Sequence, residues 1–452
     1  MAPKTKKLTE GAPLPLLLRF SLPLMAGNIF QQLYTVVDTM IVGKALGVDA
    51  LAALGASDWV NWMVLGIIQG FTQGFGILMA KEFGANRLDS LRRVVGSSYV
   101  LAGLSAILLL GITQAGALPL LELLQTPKQI MPGALLYLRV MFCGIPIVMA
   151  YNLLACILRA LGDSKTPLMA MVVAALSNIA LDLLFVLVFH WGIAGAASAT
   201  LIAQLISSIY CYGRLRKISF MHLQRGDFHL TSAMAGQLMQ LGLPMALQNT
   251  LIAVGGMIIQ RIVNGFGVVF LAGFTATNKL YGILEVAALS YGYAMVTYVG
   301  QNVGARKPER IRSGMKSALL LSVATSLVIM TVMIVFGRLI VASFISGTPE
   351  QMREATRVAY TYLCVMSGCL PILYVLFIVR SAIQGMGNTV LPMLSGIAEL
   401  IMRTSGVLLL PALLGEFGIY ISEVLAWTGA DMVLIPSYII TFKKIKKKLE
   451  LE

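Results

Sequence analysis

Twelve long apolar stretches follow one another along the chain, and short polar connections separate them. Each stretch has about 20 residues or more, which is the length that an α-helix needs to cross the hydrocarbon core of a bilayer. The stretches are continuous rather than alternating, which disfavours a transmembrane β-barrel. The pattern therefore predicts an all-α polytopic membrane protein with twelve transmembrane helices. The predicted spans are residues 14–42, 51–80, 94–121, 131–160, 166–190, 192–214, 237–264, 270–302, 314–345, 354–384, 389–414 and 417–442.

The second half of this pattern repeats the first half. Leu22-Pro23 corresponds to Leu243-Pro244, and Pro146 corresponds to Pro371, at a nearly constant offset that indicates a duplicated unit. Because six spans return the chain to the side where it began, we expect two six-helix lobes related by a pseudo-two-fold axis along the membrane normal. The predicted parts are an N-terminal lobe over residues 1–214, a cytoplasmic linker over 215–236, and a C-terminal lobe with a basic tail over 237–452.

Four prolines inside the predicted spans have a mechanical meaning. A proline removes a backbone hydrogen bond from a helix and permits a kink there. The repeat places these prolines in two equivalent pairs, so we expect each lobe to bend at the same two points. The predicted kinks are at Pro23, Pro146, Pro244 and Pro371.

Composition and charge agree with this organisation. The 452 residues are 58% hydrophobic and 12% charged, which is too little charge for a soluble or a disordered protein. The net charge of +14 comes from 34 Lys and Arg against 20 Asp and Glu. The basic residues gather in every second connection, whereas His190-Trp191 and Gly265-Phe266-Gly267 carry no Lys or Arg. The positive-inside rule then predicts that both termini are cytoplasmic, and the basic excess does not indicate nucleic-acid binding.

A few polar residues lie within the apolar spans, where they are costly and usually face the protein interior. Asp38 ends a polar row with Gln31 and Thr35, whose spacing puts all three on one face of the first helix. Asp182 follows Asn178 by one helical turn. A buried carboxyl can take up and release a proton, or it can hold a small cation with amide and hydroxyl oxygens. We therefore predict a coupling-ion site for protons or sodium at Asp38, Asn178 and Asp182.

Aromatic, methionine and polar residues in the spans predict a cavity for organic cations, since cations are attracted to ring faces and methionine surfaces adapt to many ligands. The alternative is that the rings only fill the core or lie at the membrane interface. Glu285 has two interpretations, as an ion-pair partner of Lys279 or as a substrate contact. Glu399 and Arg403 are four residues apart and predict an intrahelical ion pair. The predicted cavity residues are Gln31, Tyr34, Thr35, Trp62, Asn152, Tyr281, Glu285 and Met295.

The sequence contains no phosphate-binding loop and no hydrolase motif of the GxSxG or HExxH type. We therefore expect a protein that is not an enzyme, has no catalytic residues, and depends on an ion gradient. No metal-ligand spacing is present, and the cysteines lie in apolar stretches as small core residues. No cofactor is expected, apart from a sodium ion if sodium is the coupling ion. The cysteines are Cys143, Cys156, Cys211, Cys364 and Cys369.

Four segments resemble the multidrug and toxic-compound extrusion (MATE) family of transporters. The segment from Tyr151-Asn152 to Thr166-Pro167 resembles the family's signature after the fourth helix. The other three resemble the end of its first helix, its fifth helix and its eighth helix, and the likeness covers essentially the whole chain. They are residues 37–43, 177–182 and 300–305. Within the family, the chain is most similar to the bacterial branch of Gram-positive type.

The resemblance implies two six-helix lobes around a V-shaped cavity, and antiport of organic cations against protons or sodium in a bacterial plasma membrane. It maps the family's N-lobe aspartates onto Asp38 and Asp182, with Asn178 beside them. Another branch uses two C-lobe acids, but the aligned positions here are near Ile252 and Tyr374, which disfavours that kind of site. We expect a monomer in contact with membrane lipid. A flippase of lipid-linked saccharides, which would favour a cationic cavity, and a channel or receptor are the alternatives.

Overall fold

The computed structural model describes residues 5–345 and 348–451, so the ends of the two predicted lobes, residues 1–4 and 452, lie outside the described residues. The described chain forms helices and contains no strand. The α-helices are α1 Pro13–Leu46, α2 Val48–Gly84, α3 Leu88–Leu123, α4 Met131–Cys143, α5 Ile145–Ala160, α6 Lys165–Asp182, α7 Gly192–Leu215, α8 Ser232–Val263, α9 Val268–Leu284, α10 Val286–Gly304, α11 Pro308–Ala342, α12 Pro349–Gly368, α13 Leu370–Gly385, α14 Val390–Leu409, α15 Pro411–Leu414 and α16 Glu416–Leu451.

These helices confirm the predicted fold class. Ten of the described helical segments are long and apolar enough to cross a membrane, and two bent helix pairs raise the number to twelve when each pair is one span. The bent pairs are α4 with α5 and α12 with α13, which correspond to the fourth and tenth predicted spans. The two bends therefore occur at equivalent places in the repeat.

Proline accounts for the two bends. The angle is 50° between α4 and α5 and 49° between α12 and α13. Pro146 and Pro371 are the second residues of α5 and α13, where the missing N–H and the pyrrolidine ring prevent a straight continuation of the preceding helix. Pro23 and Pro244, by contrast, lie inside α1 and α8, which continue past them without a break.

Two acidic residues lie where a regular helix ends inside a predicted span. Asp182 is the last residue of α6, and a π-helical turn over Leu183–Val188 follows it. Glu285 is the single residue between α9 and α10. Interruptions of this kind are frequent at functional sites because they change the direction of nearby side chains.

The described chain divides into two compact units. The first contains the residues up to Leu8 and Leu22–Ala246, and the second contains Thr9–Ser21 and the residues from Leu247 onward. The predicted linker packs within the first unit, where the ring of Phe220 stacks on that of Phe83 with a centroid distance of 6.0 Å. Two of the three boundaries fall inside helices, one in α1 and one in α8.

Two glycines of α2 allow the first part of α8 to approach closely within the first unit. A Cβ atom built on Gly74 would lie 2.4 Å from Cα of Gly242, and one on Gly70 would lie 2.3 Å from the backbone nitrogen of Ala246. Both distances are far shorter than a van der Waals contact. Membrane helices rely on such close backbone packing for stability, because lipid tails provide no hydrophobic driving force between helices.

We therefore expect the change Gly74→Ala to lower stability by about 1–3 kcal/mol, since α2 and α8 must separate to admit one methyl group. The matched control is Gly103→Ala in α3, where an added Cβ meets no atom within 4 Å. The measurement is the midpoint of thermal unfolding in detergent for the two variants. An equal midpoint for both variants would contradict this account of the α2–α8 packing.

Candidate functional site

The two aspartates that the sequence singled out meet within the first unit. Asp182 at the end of α6 is fully buried, and Asp38 on α1 is partly buried. Their carboxyl groups lie within hydrogen-bonding range of each other. Among the described residues, no donor reaches either oxygen of Asp182 or the Oδ1 atom of Asp38. The structure thus brings together two carboxyl groups with three unsatisfied oxygens.

A small cavity lies beside this pair and is lined by polar groups from three helices. Tyr34 belongs to α1, Asn178 to α6, and Thr200 and Gln204 to α7. The amide nitrogen of Asn178 donates to the hydroxyl of Thr200 over 3.4 Å, which leaves Oδ1 of Asn178 without a donor. Oε1 of Gln204 also has no donor in the described chain. The cavity therefore adds two amide oxygens to the carboxyl oxygens of the acidic pair.

A bound positive charge would stabilise this arrangement of two carboxyl groups. Two adjacent carboxylates in a low-dielectric interior repel each other, and neither can recover the solvation it loses on burial. A proton shared between Asp38 and Asp182 removes one negative charge. A small cation held by carboxylate and amide oxygens neutralises the pair in a different way, since such oxygens are pure acceptors. The site can therefore alternate between a loaded and an unloaded form.

The other predicted cavity residues of the first unit have more local contacts. Thr35 donates its hydroxyl to the carbonyl of Gln31, and Asn152 donates its amide to the carbonyl of Val148, so each bonds to its own helix. Trp62 is exposed. Gln31 and Tyr34 join the acidic site, because the Tyr34 hydroxyl forms hydrogen bonds with the side chains of Gln31 and Gln204. The structure thus groups two of these residues with the acids.

Buried charges also occur in the second unit, where they form an extended ion-pair chain. Glu399 on α14 accepts from Arg380 of α13 over 2.8 Å and from Arg403 over 3.0 Å, which confirms the predicted Glu399–Arg403 pair. Arg403 also donates to Glu423 of α16 over 3.0 Å. The side chains of Arg380, Glu399 and Arg403 are each less than one-tenth exposed. We call Arg380, Glu399, Arg403 and Glu423 the buried ion chain.

The predicted residues of the second unit lie near this chain or in the core. Glu285 forms a side-chain hydrogen bond with Tyr281, whose ring stacks against Trp427 with a centroid distance of 6.2 Å. The ion pairs of the described residues include none between Glu285 and Lys279, which is exposed. Met295 is fully buried. The first interpretation of Glu285, as a partner of Lys279, is therefore wrong for this conformation.

Sequence reasoning missed four residues of these two sites. Arg380 and Glu423 lie inside predicted spans and carried the same signal of an intramembrane charge as Glu399. Thr200 and Gln204 are one turn apart on α7 and are polar groups within a span. No sequence pattern says which face of α7 packs on α6, so their place beside Asn178 is apparent only in the structure.

The sequence of the chain is similar to those of known proteins. A family model described as MatE matches residues 23–184 and 244–408, one segment in each half of the repeat. The chain belongs to the MATE family. It is 31% identical over 423 residues to the probable multidrug resistance protein YpnP of Bacillus subtilis, and the alignment covers 92% of each chain. It is 27% identical over 413 residues to the probable multidrug resistance protein YoeA of the same organism, covering 90% of this chain and 84% of YoeA.

The fold of this MATE chain also matches solved structures. The structure of a multidrug resistance MATE family transporter in an outward-facing conformation superposes with a TM-score of 0.89 at 21% identity, covering 99% of this chain and 100% of that chain. At that level of identity the match establishes the fold alone. Tyr374, near which the resemblance placed a C-lobe acid of another branch, donates its hydroxyl to the carbonyl of Leu284 over 2.8 Å.

Proposed function

We propose that this membrane protein is a secondary active antiporter that exports amphipathic organic cations in exchange for protons or sodium. The observation that carries the proposal is the Asp38–Asp182 pair, whose unsatisfied oxygens provide a place for one positive charge. Membership of a family whose relatives are named multidrug resistance proteins supports drug-like cations as the cargo. We further propose a monomer in the bacterial plasma membrane, with both termini cytoplasmic, in contact with membrane lipid.

Exchange follows if the coupling ion and the exported cation compete for the same negative charge. An incoming organic cation favours the ionised acidic pair, and therefore promotes release of the proton or sodium ion bound there. A proton or sodium ion arriving from the other side reverses this preference. Tyr34 and Gln31 adjoin the pair and are the residues of the predicted cavity best placed to respond to its charge. This scheme needs no catalytic residue and no cofactor other than the coupling ion.

The test is a flux measurement on the purified full chain in liposomes. We expect an ethidium-like cationic dye to move against its own gradient when either a proton gradient or a sodium gradient is imposed. Protein-free liposomes, and proteoliposomes with both gradients collapsed by ionophores, are the controls. Movement that continues with both gradients collapsed would contradict coupling, and failure to move any cationic dye would contradict the proposed cargo.

A further inference from the structure

Asp431 is a buried acid that the proposed export mechanism does not use. It lies on α16 and shares the buried face of that helix with Trp427 and Leu434, one turn away on either side. The next residue, Met432, is 69% exposed and lies on the exposed side of the helix. Asp431 is 8% exposed, and its Oδ1 atom has no hydrogen-bond partner among the described residues. The side chain therefore points an unsatisfied oxygen into the second unit.

Two charged groups lie near Asp431 in its otherwise apolar surroundings. Helix α16 packs against α11, α12, α13, α14 and α15. The charged groups that act on Asp431 from these helices are Arg380 of α13 and Glu399 of α14, both members of the buried ion chain. Asp431 thus lies beside that chain without a salt bridge to it.

The charges of the buried ion chain already balance without Asp431. Arg380 and Arg403 supply two positive charges, and Glu399 and Glu423 supply two negative charges, joined by contacts of 2.8 to 3.0 Å. An ionised Asp431 would add one negative charge, and both arginines of the buried ion chain already pair with glutamates. Burial of an uncompensated carboxylate is strongly unfavourable, so the group takes up a positive charge from elsewhere.

We propose that Asp431 is a proton-binding site of the second unit, separate from the Asp38–Asp182 pair. A single proton is enough to neutralise this one carboxyl, and no three His, Cys, Asp or Glu side chains of the described residues converge there as ligands for a metal ion. One proton on Oδ1 makes the group neutral. When that proton leaves, the carboxylate competes with Glu399 for Arg380 and loosens the contact between α13 and α14. This inference does not depend on the proposed export function.

The test uses Trp427 as a reporter, because it lies one turn from Asp431 on the same face. The full chain carries three replacements, Trp59→Phe, Trp62→Phe and Trp191→Phe, so that only Trp427 fluoresces in detergent. Between about pH 5 and about pH 9, a range that spans the usual shifts of buried carboxyls, we expect a single pH-dependent step in its emission. A flat response in this background would overturn the proposal.

Matched variants assign the step to one group. Asp431→Asn should abolish it, whereas Asp182→Asn and Glu285→Gln should leave it in place. Loss of the step in Glu285→Gln, or its persistence in Asp431→Asn, would overturn the assignment to Asp431. If Asp431→Asn does not fold, the unchanged chain gives the answer through dicyclohexylcarbodiimide, which modifies protonated carboxyls in apolar surroundings. We expect modification of the Asp431 peptide to decline as the pH rises, and its absence at every pH would contradict the proposal.

Discussion

Replacement of Asp182 by Asn should abolish gradient-driven export while the protein stays folded. Asn has the shape of a protonated aspartate, but it cannot gain or lose a proton and it binds cations weakly. Because both oxygens of Asp182 lack a donor in the described chain, the ionised side chain destabilises the folded protein. We therefore expect Asp182→Asn to raise the midpoint of thermal unfolding at neutral pH even as coupled flux falls to that of protein-free liposomes, a trade-off common at functional sites.

The measurement is dye flux in liposomes under an imposed proton or sodium gradient, together with thermal unfolding in detergent. The matched control is Asp89→Asn on α3, whose carboxyl is 77% exposed and pairs with Arg92. That variant should keep both flux and stability. Asp38→Asn should also reduce coupled flux by at least about tenfold, equal to about 1.4 kcal/mol. Full coupling in both Asp38→Asn and Asp182→Asn would show that the coupling site lies elsewhere.

The sequence predicted the fold well because its signals are local and repeated. Each predicted span corresponds to one helix or one interrupted helix, since a long apolar stretch in lipid must satisfy its own backbone hydrogen bonds. The bends at the fourth and tenth spans follow from Pro146 and Pro371. The π-turn after Asp182 and the break at Glu285 have no such residue to mark them. The sequence therefore does not predict them.

The sequence singled out Asp38, Asn178 and Asp182 as polar residues within spans, but it predicted individual contacts only between sequence neighbours. Glu399 and Arg403 are one turn apart, so the spacing alone indicated their contact. Arg380 reaches Glu399 from another helix, and only the packing of α13 on α14 shows it. Proximity in sequence was misleading for Glu285 and Lys279, because residues six apart lie on different faces of a helix. Nearness along the chain is therefore informative only at helical spacing.

The second large effect is expected for Glu399→Gln. Glu399 is the one member of the buried ion chain that accepts from two arginines, and its side chain is 6% exposed. The change leaves a neutral amide that both accepts and donates, so the guanidinium of Arg380 loses its only salt bridge among the described residues. Removal of one partner from a buried ion pair typically destabilises a protein by about 3–5 kcal/mol. We expect a correspondingly large fall in the thermal unfolding midpoint.

The matched control is Glu354→Gln, which removes an acid from an exposed pair with Arg357, whose side chains are 50% and 51% exposed. Pairs of this kind contribute less than about 1 kcal/mol, because water screens them and the long side chains lose entropy on pairing. The control should therefore unfold close to the temperature of the unchanged chain. Equal effects of the two variants would contradict a structural role for burial of the ion chain.

A double variant distinguishes the loss of the ion-pair attraction from the cost of leaving a buried charge unpaired. If the harm of Glu399→Gln is mainly the unpaired charge of Arg380, then adding Arg380→Gln should recover a large part of the lost stability, because two neutral amides can pair with each other. A double-mutant cycle on these two positions should then give a coupling energy of roughly 0.5–3 kcal/mol. Strictly additive losses would mean that the two side chains do not interact, and the contact between α13 and α14 would need another explanation. Recovery would instead identify Arg380 as the group whose charge the second unit must keep neutralised.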